Sequence, residues 1–153
     1  MLLEEGLANV FARHDRHAEA TRRAVRAWGL ELLCSNPAEY SSSLTAIMMP
    51  EGHDADAFRR EVLARYDLSL GMGLGRLLGR VFRIGHLGFF NDLTLCGTLC
   101  GVEMGLAASR VPHQRGGVDA ALAYLSASEA NSPRAAEDPP GHARAAEHSL
   151  NAA

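Results

Sequence analysis

The sequence predicts an α+β fold: a two-layer sandwich in which a small, mainly antiparallel sheet is covered by helices on one face. Three observations lead there. The element order read from hydrophobic periodicity is helix, strand, strand, helix, strand, helix, helix. The strand candidates are short apolar runs bounded by Gly or Pro. The helices carry one apolar face each, which requires a second layer to bury it.

Residues 7–28 read as the clearest helix, after a break at Gly6. Leu7, Val10, Phe11, Ala18, Val25 and Trp28 follow the 3.6 period, with arginines mainly opposite, and Gly29 ends it. Residues 30–33 read as a short strand, Asn36-Pro37 as a turn, and residues 43–49 as a second strand ending at Pro50. Asp54 is a natural N-cap for a helix with Phe58, Val62 and Tyr66 on one side, ending near Asp67. Asn91 caps a helix over residues 92–109 whose apolar face is Leu95, Leu99, Val102 and Leu106. Gly97, Gly101 and Gly105 add a smooth stripe that costs about 0.8–1.0 kcal/mol of helix propensity per glycine, so close packing must offset it. A last helix is expected over residues 118–125, with Val118, Leu122 and Leu125 inward. The domain is therefore expected over residues 1–125. Residues 126–153, rich in Ala, Glu, Ser and Pro, are expected to be a mobile tail with at most a marginal helix over 143–150.

The stretch over residues 68–88 organises the rest. Gly71, Gly73, Gly75 and Gly79 make a flexible approach to a strand, Val81-Phe82-Arg83-Ile84, followed by Gly85 and Gly88. Alternation turns Phe82 and Ile84 toward a core and Val81 and Arg83 the other way. A guanidinium in such a strand is expensive unless an anion meets it. Two readings follow: a carboxylate-binding arginine at the mouth of a cleft, or a structural arginine paired with an acid of its own chain.

Composition narrows the function. The chain has 153 residues, 47% hydrophobic and 22% charged, with a net charge of −3, which offers no basic field for nucleic acid or an acidic membrane. It shows neither a membrane-spanning run nor a signal-peptide pattern. Cys34, Cys96 and Cys100, an odd number, fit reduced thiols in the cytoplasm. Cys96 and Cys100 read as small buried residues, and His14 and His17 as packed or surface histidines without a third metal ligand. Ser41, Ser42 and Ser43 have no positioned base, and Gly71-Met72-Gly73-Leu74-Gly75 lacks the residues of a nucleotide loop. All 15 residues counted as Lys+Arg are arginine, so the chain contains no lysine.

Arg83-Ile84-Gly85-His86-Leu87-Gly88, preceded by the Gly-x-Gly-x-Gly run, resembles the substrate-carboxylate segment of class V pyridoxal-phosphate aminotransferases, in the serine–glyoxylate branch. The resemblance spans residues 2–125. It includes Tyr40-Ser41-Ser42-Ser43-Leu44-Thr45, Pro50-Glu51-Gly52, Asn91-Asp92-Leu93-Thr94 and Gly101-Val102-Glu103-Met104-Gly105; Phe89 departs from it. It implies the C-terminal small domain of a fold-type I transferase, with Arg83 as the substrate-binding residue for the α-carboxylate of an amino acid or 2-oxo acid. It also implies pyridoxal 5'-phosphate in the intact enzyme and a homodimer. The cofactor is held there as a Schiff base on a lysine, which this chain lacks, so no covalent cofactor and no catalytic residue are expected in it. The large domain is expected in polypeptide preceding Met1, with the open face of the sheet resting on it and an apolar patch exposed without it. The alternative is a non-catalytic interaction module that pairs with a separately encoded large domain.

Overall fold

A computed structural model describes residues 2–130. Its order is α1 (Leu2–Glu5), α2 (Leu7–Ala27), β1 (Leu44–Met48), α3 (Ala55–Tyr66), β2 (Gly71–Met72), β3 (Val81–Gly85), α4 (Asp92–Ala108) and α5 (Gly117–Ala130), with short 3-10 turns at Pro37–Glu39 and Gly75–Leu77. The sheet is antiparallel in the order β1-β3-β2, so β3 is central. This is the expected α+β domain.

The sheet's two faces follow the period of two. Thr45 lies opposite Ile84 and Ile47 opposite Phe82, and all four are buried. The Phe82 ring meets Phe58 of α3 with centroids 4.9 Å apart. Helices α2, α4 and α5 close the core around Val25, Trp28, Leu95, Leu99, Leu106 and Leu125. The opposite face carries Leu44, Ala46, Met48 and Arg83, all half-buried. Val81 belongs to that face by alternation but is buried.

The helix ends obey their local chemistry. The Asp54 carboxylate accepts the N–H groups of Asp56 and Ala57, and the Asn91 side chain accepts that of Thr94. α2 stops where Gly29 takes φ 74°, a left-handed conformation that glycine adopts freely. On α4, a Cβ at Gly105 would stand 2.3 Å from Val62 Cγ2, and one at Gly101 would stand 2.8 Å from Leu68 Cδ2. Gly97 faces open space, so the smooth stripe packs at two of its three positions.

Several expectations need correction. Residues 30–33 form no strand; Leu32 makes a single bridge to Ile47. Leu30 N–H turns back to Val25 O and Asn36 caps the Pro37–Glu39 turn, so the pairing with β1 stops at two backbone bonds, Leu33 N–H to Ala46 O and Met48 N–H to Glu31 O. The glycine run is ordered into β2 and a turn rather than left as a flexible approach; a Cβ at Gly73 would stand 2.0 Å from Leu77 O. Leu7, Phe11 and Leu122 are exposed instead of inward, Cys100 is exposed, and Cys96 is only half-buried. Helix α5 extends to Ala130. The rest of the expected tail, with the 143–150 helix, lies outside the described residues. No described helix is long and apolar enough to cross a membrane.

Candidate functional site

Arg83 sits at the middle of the central strand between two small neighbours. Ala46 of β1 is opposite it on one side and Gly71 of β2 on the other. The side chain leans over Gly71: a Cβ built there would stand 3.0 Å from Arg83 Cβ and 3.1 Å from Nε. That position shields Nε from solvent, and Nε has no hydrogen-bond partner. Among the described residues Arg83 has no ion pair. Of the two sequence readings, the internally paired arginine therefore finds no acid among the described residues.

The other half-buried arginines among the described residues, Arg13, Arg16, Arg22 and Arg59, all have an acid partner. Arg13 forks onto Glu5 with bonds of 2.7 and 2.9 Å and donates from its remaining nitrogen to Gly88 O and Phe90 O, both at 3.0 Å. That anchors the turn after the Arg83 strand to α2. Arg16 donates to both oxygens of Asp92 at 2.6 and 2.8 Å. Arg22, Arg23 and Arg26 gather around Glu19, and Arg59 pairs with Asp56.

The buried histidines set the frame around this strand. His86 Nδ1–H donates to Ser42 O at 3.2 Å, which makes Nε2 the acceptor for the Thr45 hydroxyl at 3.0 Å. Burial pushes the His86 pKa down to about 4, so the ring is neutral near pH 7. His17 is buried against Phe90 and donates Nε2–H to Asp92 at 2.8 Å. Burial lowers its pKa although Asp92 opposes the shift. Burial works against the charge on Asp92, but the His17 and Arg16 hydrogen bonds outweigh it and hold that carboxyl below its ordinary range. His14 donates Nδ1–H to Val10 O and accepts Gly88 N–H at Nε2. His14 and His17 are thus occupied in packing, and Ser42 donates its hydroxyl to Asp15.

Sequence reasoning missed two residues that hold this frame. Glu103 accepts Trp28 Nε1–H at 2.8 Å and the N–H groups of Gly116 and Val118, which ties α2, α4 and the start of α5 together. Gly71 gives Arg83 its room; the only signal for it was a glycine ahead of the strand. A cleft of about 690 Å³ between α2 and the Leu87-Gly88 turn, and one of about 600 Å³ beside Met48–Gly52 and Arg80, do not have Arg83 in their walls. Arg83 stands on an open face, with Met72, Leu74 and Leu78 of the neighbouring β2 and turn segment exposed.

The chain matches no protein-family model. It is 48% identical over 125 residues to a serine–glyoxylate aminotransferase of Methylorubrum extorquens, covering 81% of this chain and 31% of that protein. It is 48% identical over 121 residues to an L-aspartate–glyoxylate aminotransferase of Paracoccus denitrificans, covering 78% and 31%. The crystal structure of pyridoxamine–pyruvate aminotransferase from Mesorhizobium loti superposes with a TM-score of 0.77 at 34% identity, over 82% of this chain and 33% of that one. This chain is a homologue of the C-terminal part of serine–glyoxylate-type aminotransferases. It spans about a third of the length of the curated relatives it matches.

Aminotransferases of this family depend on pyridoxal phosphate. The donor set of this aminotransferase homologue does not fit that cofactor by itself. The group requires a lysine amine, and none exists among the 153 residues. Arg83 offers guanidinium N–H donors, with Nε shielded, and no amine that could form a Schiff base.

Proposed function

We propose that this chain supplies the substrate-carboxylate site of an aminotransferase whose lysine and cofactor cradle belong to other polypeptide. The observation that carries the reading is Arg83: a half-buried guanidinium, seated between Ala46 and Gly71, with no acid beside it among the described residues. A cation left in that state is stabilised by an incoming anion, and a carboxylate matches the planar fork. The substrates of the reading are a small amino donor, such as serine, and a small 2-oxo acid, such as glyoxylate. Relatives named for serine–glyoxylate and for L-aspartate–glyoxylate exchange share the α-carboxylate and differ beyond it, and the α-carboxylate is the part assigned to Arg83. Holding it fixes Cα relative to the reacting centre, which is a positioning role.

The same reading includes a large domain against the open sheet face, a homodimer and a cytoplasmic setting. The exposed Met72, Leu74 and Leu78 beside Arg83 support a covered face. The test combines the chain with a lysine-bearing large domain from the Methylorubrum relative. Arg83→Lys is expected to raise KM for both the amino acid and the oxo acid by about tenfold or more, with cofactor absorbance unchanged. An unchanged KM rejects the assignment. Stable pairing without transamination, in the variant and the parent alike, would favour the non-catalytic module, a reading supported by the missing lysine.

A further inference from the structure

We infer that Gly71 is a positioning residue that sets how Arg83 presents its guanidinium, end-on through Nη1 and Nη2 with Nε held down. The inference rests on the carboxylate role proposed for Arg83 and adds the residue that governs the grip. Gly71 pairs with Arg83 across the β2–β3 ladder and is absent from the glycines with positive φ. Its backbone is one that any residue adopts, so the demand for glycine does not come from dihedral freedom. It comes from the arginine. A Cβ at position 71 would meet Arg83 at both Cβ and Nε, closer than nine in ten such contacts. Ala46, the partner on the other side, already carries a Cβ, and the Arg83 side chain lies over Gly71 on the β2 side.

The consequence lies in which nitrogens remain available. Nε is shielded and without an acceptor, while neither terminal nitrogen is buried and unpartnered. A carboxylate approaching from the open face therefore finds Nη1 and Nη2 first, two parallel donors in one plane. An alanine at 71 lifts the head away from the strand, exposes Nε and loosens the direction of the fork. A misdirected fork weakens binding without removing the charge.

The test uses the full chain labelled with nitrogen-15, sodium acetate and glyoxylate as probes, and the side-chain signals of Arg83 assigned by their loss in Arg83→Gln. In the parent, Arg83 Hε is expected to exchange with water about tenfold slower than that of exposed Arg60, and acetate is expected to move the Nη signals more than Nε. Gly71→Ala is expected to speed Hε exchange and to raise the half-saturating acetate concentration by about fivefold, whereas Met72→Ala on the same strand changes neither. Equal exchange and equal half-saturation in Gly71→Ala overturn the role of Gly71 and leave that of Arg83 standing. An acetate response that persists in Arg83→Gln, or is absent from the parent, overturns the carboxylate reading itself. If Gly71→Ala does not fold, the parent decides: Hε exchange as fast as that of Arg60 overturns the seated geometry.

Discussion

Arg16 and Arg83 are both partly withdrawn from solvent, yet their circumstances are opposite. Arg16, on α2, meets Asp92 with two short bonds, and the same carboxylate also receives buried His17. Arg83, on β3, meets no acid among the described residues and leaves one donor without a partner. The first arrangement answers a charge inside the chain and locks α2 to α4. The second leaves a charge without an internal acid on the central strand of the sheet. Under the proposed carboxylate role, an incoming ligand would break no internal ion pair to reach Arg83.

One of the two largest effects is expected from unpairing the α2–α4 cluster. Asp92→Ala leaves Arg16 without its acid and His17 with a buried donor facing nothing. It is expected to lower stability by about 2–3 kcal/mol, read from urea denaturation at pH 7. A loss below about 0.5 kcal/mol would mean that the cluster does not hold the helices. A comparable effect is expected from acid acting on His86. Its folded pKa lies near 4, below its ordinary 6.5, so the folded state favours the neutral ring. The unfolded chain binds the proton first as pH falls. The contribution is therefore complete above pH 6.5 and is lost progressively toward pH 4, amounting to roughly 3 kcal/mol. His86→Asn should flatten that slope between pH 6.5 and 4; an unchanged slope would reject the assignment to His86. The smallest effect is expected at Arg83. Arg83→Met removes an unpartnered donor, so stability should stay level or rise by up to about 1 kcal/mol. A drop larger than 1 kcal/mol would show that Arg83 is structurally paired, and the contrast with Arg16 would collapse.

Legibility in the sequence followed the range of the interactions. Asp54, Asn91 and Gly29 announce helix ends because capping is decided within three or four residues, and all three behave as read. Arg83 stood out because one cation interrupts an apolar strand bounded by glycines. The frame around it was not legible. Arg16 and His17 reach Asp92 across 76 and 75 positions, and Trp28 reaches Glu103 across 75, distances at which no local pattern links the partners. Strand β2 was missed because glycine has poor strand propensity; its place comes from pairing with β3 and from the room Arg83 requires. Residues 30–33 do run beside β1, with Leu33 N–H on Ala46 O and Met48 N–H on Glu31 O, but the turns at either end limit the pairing to one bridge at Leu32.

Trp28 is the chain's sole tryptophan, fully buried, with its indole N–H on Glu103 and its ring pressed against the position where Gly117 would carry a Cβ. Its environment is therefore built by α2, α4 and the first turn of α5 at once. Ultraviolet emission from this one fluorophore reports on the junction of three helices without any added dye. A red shift would signal that the junction has opened, even while the sheet beneath it remained intact.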